Sequence, residues 1–247
     1  MSDAALLETR NLSKSFGAVQ ALRDLSMSVR AGEVVALAGD NGAGKTTLIK
    51  ALSGVYRPSS GEILLEGQPV NFASPQEARE RGIETIYQDL ALADTLSIGA
   101  NIFLGREPMR RALGFIPVLD RRAMARAARE TMALLDFHVS RMDAPVSNFS
   151  GGQRQAVAIG RAVHWNARIL IMDEPTAALG VPEQRKVIAL IHGLKAQGRG
   201  VIFISHNLQD IFAVSDRIIV LRRGVQAGER RISETSHEEV VRLMIGG

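Results

Sequence analysis

Residues 39–47 constrain this chain more than any other stretch. They read Gly39, Asp40, Asn41, Gly42, Ala43, Gly44, Lys45, Thr46 and Thr47. The pattern is Gly, four residues of any kind, Gly, Lys, then Ser or Thr, which is the phosphate-binding P-loop. Glu33 to Ala38 before it is a short apolar run that predicts a buried strand. Thr46 to Leu52 after it predicts the start of a helix. A glycine turn in any α/β core has a similar outline, and strand, glycine-rich turn, helix is the context that separates a working P-loop from it. Glycine lets the backbone bring its N–H groups close to an anion, and the helix N-terminus adds partial positive charge. Lys45 is placed to reach the outer phosphates, and the Thr46 hydroxyl to ligate magnesium.

Composition narrows the field. A chain of 247 residues buries a sizeable core as one large domain or two small ones. Apolar residues make up 46% and charged residues 23%, which is ordinary for a globular protein. The net charge of +4 comes without a long basic block, so charge alone argues weakly for nucleic acid. With no cysteine, disulfides and thiolate metal sites are excluded. Met1 to Arg10 carries Asp3 and Glu8 and lacks a long apolar centre, so no signal peptide is expected. No apolar run reaches the roughly 18–20 residues of a membrane span, so membrane association is expected to go through a partner.

Strands are predicted at 6–12 and 21–29 around a turn at Phe16-Gly17, then a hairpin over 62–70 turning near Gly67-Gln68. Ser74-Pro75-Gln76-Glu77 predicts a capped helix start, and 83–87 another strand. From Asp89 to Trp165 the pattern reads as helical with no strand, and 106–117 as a loop. Arg121, Arg122, Arg126 and Arg129 lie on one of these helices; a solvated face is the commoner reading, a patch for anionic lipid or nucleic acid the alternative. Strands return at 169–172, 201–205 and 217–221, with a helix at 182–197. Strand and helix alternating in this way argue a parallel sheet. The expected organisation is an α/β nucleotide-binding core (1–88 and 166–247) interrupted by a helical subdomain (89–165).

Two further stretches carry chemistry. Ile169 to Met172 is apolar and ends in Asp173-Glu174, and an acid at the carboxyl end of a buried parallel strand sits where α/β sheets bind ligands. Asp173 can hold magnesium beside Thr46, and Glu174 can polarise an attacking water. Ser150, Gly151, Gly152 and Gln153 open a helix at 154–165, with Ser150 as its cap and the glycines letting N–H groups face a phosphate.

P-loop, acid pair and Ser-Gly-Gly-Gln together resemble the ATP-binding subunits of ABC transporters, over 7–223. The resemblance implies an α/β P-loop NTPase with a RecA-like parallel-sheet core, an N-terminal antiparallel β subdomain and a helical insert. It implies ATP and Mg2+ as ligands. Phe16 takes the place of the aromatic that stacks on adenine, and Gln88 that of the glutamine sensing magnesium and water. Asp173 takes the magnesium-site position, Glu174 that of the catalytic glutamate, and His206 that of the switch histidine at the γ-phosphate. His138, His164, His192 and His237 have no such place and read as ordinary surface or core residues. The family pairs two such subunits head to tail, so Ser150 to Gln153 would serve the nucleotide of a second copy. One departure stands out: Gly180 occupies the position where the family usually has an aspartate between the two sites.

The stretches 82–88, 101–107 and 174–181 are similar to ATPases of bacterial importers for simple sugars of the ribose, xylose and fructose type, the last above all. That implies partnership with membrane permease subunits, a homodimer, an indirect link to a periplasmic sugar-binding protein, no nucleic acid, and a peripheral place on the cytoplasmic face of the inner membrane. It also implies no C-terminal regulatory domain. Leu90, Leu92, Leu96, Ile98, Ile102, Phe103 and Leu104 would divide between a small core and a groove for a permease helix. The alternatives are a soluble ABC-type ATPase acting on nucleic acid or ribosomes, an importer ATPase for a non-sugar substrate, and a GTPase. The last lacks the Asn-Lys-x-Asp guanine-reading motif.

Overall fold

The computed structural model describes residues 5–113, 115–137, 141–177 and 179–246. His138 and Ala178 lie outside the described residues. The chain divides into two units, one of residues 1–88, 167–177 and 191–247, the other of residues 89–166 and 178–190.

The first unit holds two sheets. Strands β1 (Ala5–Phe16) and β2 (Val19–Arg30) form a long antiparallel pair, turning at Gly17, whose φ of 57° suits glycine. β4 (Ser60–Leu65) and β5 (Gln68–Val70) complete this sheet in the order β2-β1-β4-β5. The second sheet runs β12-β11-β3-β10-β9-β6. Its members are β3 (Val34–Ala38), β6 (Ile83–Ile86), β9 (Ile169–Asp173), β10 (Gly200–Ile204), β11 (Arg217–Arg222) and β12 (Val225–Arg231). All pairings in it are parallel except β11 with the edge strand β12. β3 and β10 are buried at every residue, as expected of continuous apolar runs covered on both faces.

Helix α1 (Lys45–Leu52) buries Leu48, Ile49, Ala51 and Leu52. They join one core with Leu7 and Leu25 of the antiparallel sheet and Val35, Ile171 and Ile202 of the parallel one. Each Leu, Ile or Val among them contributes roughly 1.5–3 kcal/mol by leaving water. Helix α2 (Pro75–Glu80) starts as its sequence predicts, with the Ser74 hydroxyl accepting from Glu77 N. The Glu77 carboxylate, however, accepts from Ala73 N, one residue before the cap.

The second unit contains α3 (Ile98–Ile102), α4 (Arg121–Leu134) and α5 (Gly151–His164). Asn101 is fully buried and ties the entry loop together: its amide donates to Ala93 O, Leu96 O and Ser97 O and accepts from Ala93 N. Ile98, Ile102 and Phe103 fill the core, whereas Leu96 and Leu104 are exposed. Leu96 lines a groove of about 630 Å³ with Met124, Ala125 and Ala128 of α4. On α4 the four arginines are exposed, which both readings of them require. One expectation fails here. Residues 106–117 are not a plain loop, because Met109–Ala112 (β7) and Ile116–Leu119 (β8) pair as an antiparallel hairpin. Its strands are mostly exposed, so they show no apolar alternation, and Pro117 argues against a strand in sequence.

The remaining elements are α6 (Val181–Ala196), α7 (Leu208–Val214) and α8 (His237–Ile245). Among the described residues no helix is long and apolar enough to cross a membrane.

Candidate functional site

Four neighbouring parallel strands end at one side of the sheet, and the site is built from the residues just after them. Register sets Leu37 of β3 beside Ile204 of β10, Ile204 beside Asp173 of β9, and Met172 beside Ile86 of β6. The next residues along the chain are the P-loop, Glu174, Ser205-His206 and, two on from Ile86, Gln88. A cleft of about 760 Å³ collects them. It is lined by the nine P-loop residues Gly39 to Thr47, by Gln88, Asp173, Glu174 and His206, and by Ala21, Ala177 and Met244. Ligand sites at the carboxyl ends of parallel strands are the general rule for such sheets.

Within the P-loop two glycines are dictated by space. A Cβ at Gly39 would lie 2.3 Å from Leu221 O, and Gly44, at φ 109°, would place one 2.9 Å from Ala21 O and Leu22 Cδ2. Gly44 is the N-cap of α1 and brings no side chain to cap it. The first N–H groups of the helix are therefore left to an anion. Lys45 Nζ donates to Gly39 O at 2.5 Å and Asp40 O at 3.0 Å. Burial lowers its pKa, opposed by the negative charges of Glu174, Asp173 and Asp40. Burial raises the pKa of Asp173, helped by the neighbouring Glu174 charge and opposed by Lys45.

Glu174 is held in the left-handed region, at φ 53°, with its N–H donating to Ile204 O at 2.9 Å. Its carboxylate Oε2 lies 2.9 Å from His206 Nδ1. The imidazole is otherwise 76% exposed, so it is free to turn toward a ligand. Behind it Asn207 accepts from Gln209 N and caps α7.

The other predicted residues are placed differently. Phe16 ends β1, meets Tyr56 edge-on at 5.1 Å and remains 44% exposed; it is not among the residues lining the cleft. Ser150 to Gln153 belong to the second unit and form the N-terminus of α5. Ser150 Oγ accepts from Gln153 N, and Gln153 Oε1 accepts from Ser150 N, a complete capping box. A Cβ at Gly151 would sit 2.6 Å from Leu179 Cδ2 and one at Gly152 2.9 Å from Glu183 Cβ, so both glycines permit close packing on 179–183. At Gly180 a Cβ would meet Glu183 Oε2 at 2.9 Å, and an aspartate there would face a like charge.

Three features of the site have no local signal in sequence. Met244 reaches the cleft from α8, near the far end of the chain. Gly224 donates from its N–H to Ala43 O and accepts at its carbonyl from Arg23 N, backing the P-loop from the β11–β12 turn. The Thr176 hydroxyl donates to Asp210 at 2.7 Å, both buried, anchoring the segment after Glu174 to α7. A buried acid facing a buried hydroxyl is found only once the fold is known.

Fold and cleft together define a P-loop nucleotide-binding protein. Residues 22–177 match the ABC transporter family, and the chain belongs to that family as an ATP-binding, ATP-hydrolysing cassette. It is 48% identical over 244 residues to the xylose/arabinose import ATP-binding protein of Sulfolobus acidocaldarius, covering 99% of this chain and 94% of that one. It is 45% identical to the fructose import ATP-binding protein of Rhizobium meliloti, covering 91% and 87%. To a ribose import ATP-binding protein of Streptomyces coelicolor it is 46% identical, covering 98% of this chain but 47% of that one. In structure it is similar to the crystallised ADP conformation of an ATP-binding cassette of an ABC transporter, with TM-score 0.84, 27% identity, and 98% and 99% of the two chains covered.

Proposed function

We propose that this chain is the ATP-hydrolysing subunit of an importer for a simple sugar of the ribose, xylose or fructose type, driving uptake through membrane permease subunits. The single observation that carries this reading is the identity of 48% and 45% with xylose/arabinose and fructose import ATP-binding proteins, over most of each chain. The chain spans about half the length of the ribose relatives it matches. It carries one P-loop and one Ser-Gly-Gly-Gln stretch. A homodimer supplies the second of each, with Ser150 to Gln153 of one copy completing the γ-phosphate side of the P-loop in the other. The division into a nucleotide-binding core (1–88, 166–247) and a helical subdomain (89–165) serves that arrangement. The Leu96 groove would receive a short permease helix. The subunit would then work on the cytoplasmic face of the inner membrane, engaging a periplasmic sugar-binding protein through the permease.

In this reading the Lys45 ammonium exchanges the Gly39 and Asp40 carbonyls for β- and γ-phosphate oxygens. Glu174 orients and polarises the attacking water, and His206, hydrogen-bonded to Glu174, follows the γ-phosphate. Phe16 would meet the adenine. The donor set also fits Mg2+, since Thr46, Gln88 and Asp173 each bring a hard oxygen to the cleft and the half-buried Asp173 gains from a cation beside it. Bound there, the ion would neutralise charge on the phosphates.

The test is reconstitution with the permease and sugar-binding protein encoded beside it. ATP hydrolysis should rise with one sugar-loaded binding protein and not with the empty one. Co-purification with ribosomes and none with a permease would overturn the reading in favour of a soluble ATPase. Stimulation by a non-sugar ligand alone would overturn the substrate class.

A further inference from the structure

The β7–β8 hairpin contributes no residue to the lining of the cleft, and its surface is unusual. Its turn carries Leu113 and Phe115, which are 83% and 74% exposed. Leu113 sits at φ 50°, which holds the turn tight. Isolated exposed apolar residues are ordinary, but two large ones two positions apart at a hairpin turn are not explained by packing. Below the tip, Arg110 pairs across the ladder with Val118 and Arg111 with Pro117. Successive residues of a strand point to opposite faces, so the two arginines flank the tip on both sides of the ribbon.

Charge concentrates in the stretch of chain that holds this hairpin. Between 106 and 129 there are seven arginines and only two acids, Glu107 and Asp120, in a chain whose net charge is +4 overall. Both acids are turned to backbone: Glu107 accepts from Gly105 N, and Asp120 caps α4 by accepting from Ala123 N. Arg121 and Arg122 add exposed positive charge at the start of α4, just after β8 ends. An apolar tip with a basic collar is amphipathic along the hairpin axis, and it complements an interface with anionic headgroups above hydrocarbon. Nucleic acid would satisfy the arginines but leave Leu113 and Phe115 without a role.

We propose that the β7–β8 hairpin docks directly on an anionic bilayer surface, with Leu113 and Phe115 entering the headgroup region and Arg110 and Arg111 binding lipid phosphates. The cassette then has a lipid contact of its own besides any through a permease, and this stands whatever solute is carried.

Flotation of the purified full chain with vesicles tests it. Vesicles of phosphatidylcholine with phosphatidylglycerol should carry the chain, those of phosphatidylcholine alone should not, and raising salt from about 0.1 M to about 0.5 M should release it. Arg110→Glu with Arg111→Glu should lower partitioning on the order of tenfold or more, from about 1 kcal/mol per basic residue at the surface. Leu113→Ser with Phe115→Ser should weaken it on a similar scale while ATP hydrolysis stays unchanged. If the double glutamate variant does not fold, Arg110→Gln with Arg111→Gln serves instead. Equal binding to neutral vesicles, no binding, or binding insensitive to both variants would overturn the proposal. So would a duplex DNA gel shift lost only in the arginine variant without flotation, which assigns the patch to nucleic acid. Loss of permease co-purification in the tip variant without flotation would assign it to a protein partner.

Discussion

Two helices of this chain begin on glycine-rich sequence, and they begin differently. α1 starts at Gly44, in a left-handed conformation and without a side-chain cap. α5 starts at Ser150 with both arms of a capping box closed. In the first, the free N–H groups and Lys45 face the cleft, so the helix end is open to an anion. In the second, Gln153 N is already taken by Ser150 Oγ, and Ser150 N by Gln153 Oε1. What remains is the Ser150 hydroxyl proton and the N–H groups of Gly151 and Gly152 at the helix start. The first helix end is built to hold phosphate by itself. The second offers one hydroxyl donor and nearby N–H groups, which in the proposed homodimer would make it the minor half of a shared site.

Variants break this contrast at different places. The largest effect is expected on hydrolysis: Glu174→Gln should bind ATP normally and turn over about 10²–10⁴-fold more slowly, the range for losing a general base, in a steady-state phosphate-release assay. Next, Lys45→Ala should weaken ATP binding about 10²–10³-fold by titration calorimetry, since it removes the side-chain cation that would pair with phosphate; unchanged affinity would refute the role of the open helix end. Ser150→Ala should leave ATP affinity of the single chain intact while ATP hydrolysis falls. It should also cost about 1 kcal/mol of stability for the lost cap, read by urea melts. If it weakens ATP binding to the monomer, the division into two unequal half-sites is wrong.

Gly44→Ala should destabilise the fold by about 1–3 kcal/mol, because φ 109° suits only glycine and the new methyl meets Ala21 O at 2.9 Å. The smallest effect is a pH dependence remote from both helix starts. The Thr131 hydroxyl donates to Ala127 O, so His164 Nδ1 donates to Thr131 Oγ1. Burial lowers the His164 pKa, with Glu130 opposing. Because the unfolded chain binds this proton more readily, its contribution to stability is complete above pH about 6.5 and is lost as pH falls below that value. Thermal melts at pH 7.5 and 5.5 should show a gap that narrows in His164→Gln.

How much of this was readable beforehand follows physical range. β3, β9 and β10 announce themselves because strands covered on both faces must be apolar throughout. The P-loop is readable because a contiguous segment does its work. His206 carries no such signal; the resemblance alone implied a role for it at the γ-phosphate, and its hydrogen bond to Glu174 is seen only in the structure. β12, Val-Gln-Ala-Gly-Glu-Arg-Arg, and the β7–β8 hairpin escape because edge and exposed strands need no apolar face. Gly224, Met244 and Asp210 are missed for another reason. Each acts on residues more than thirty positions away, and nothing local distinguishes them.

Gly224 has a further consequence, for the order in which the protein becomes functional during synthesis. The P-loop is translated early relative to its own support, because its rear wall is Leu221 O and its bracing hydrogen bond comes from Gly224 N. Both follow it in the chain only after β6, β9 and β10. A nascent chain therefore carries an unbraced loop until β11 has been made and can pair with β3. Tight nucleotide binding would then report that β11 and the turn at Gly224 are in place.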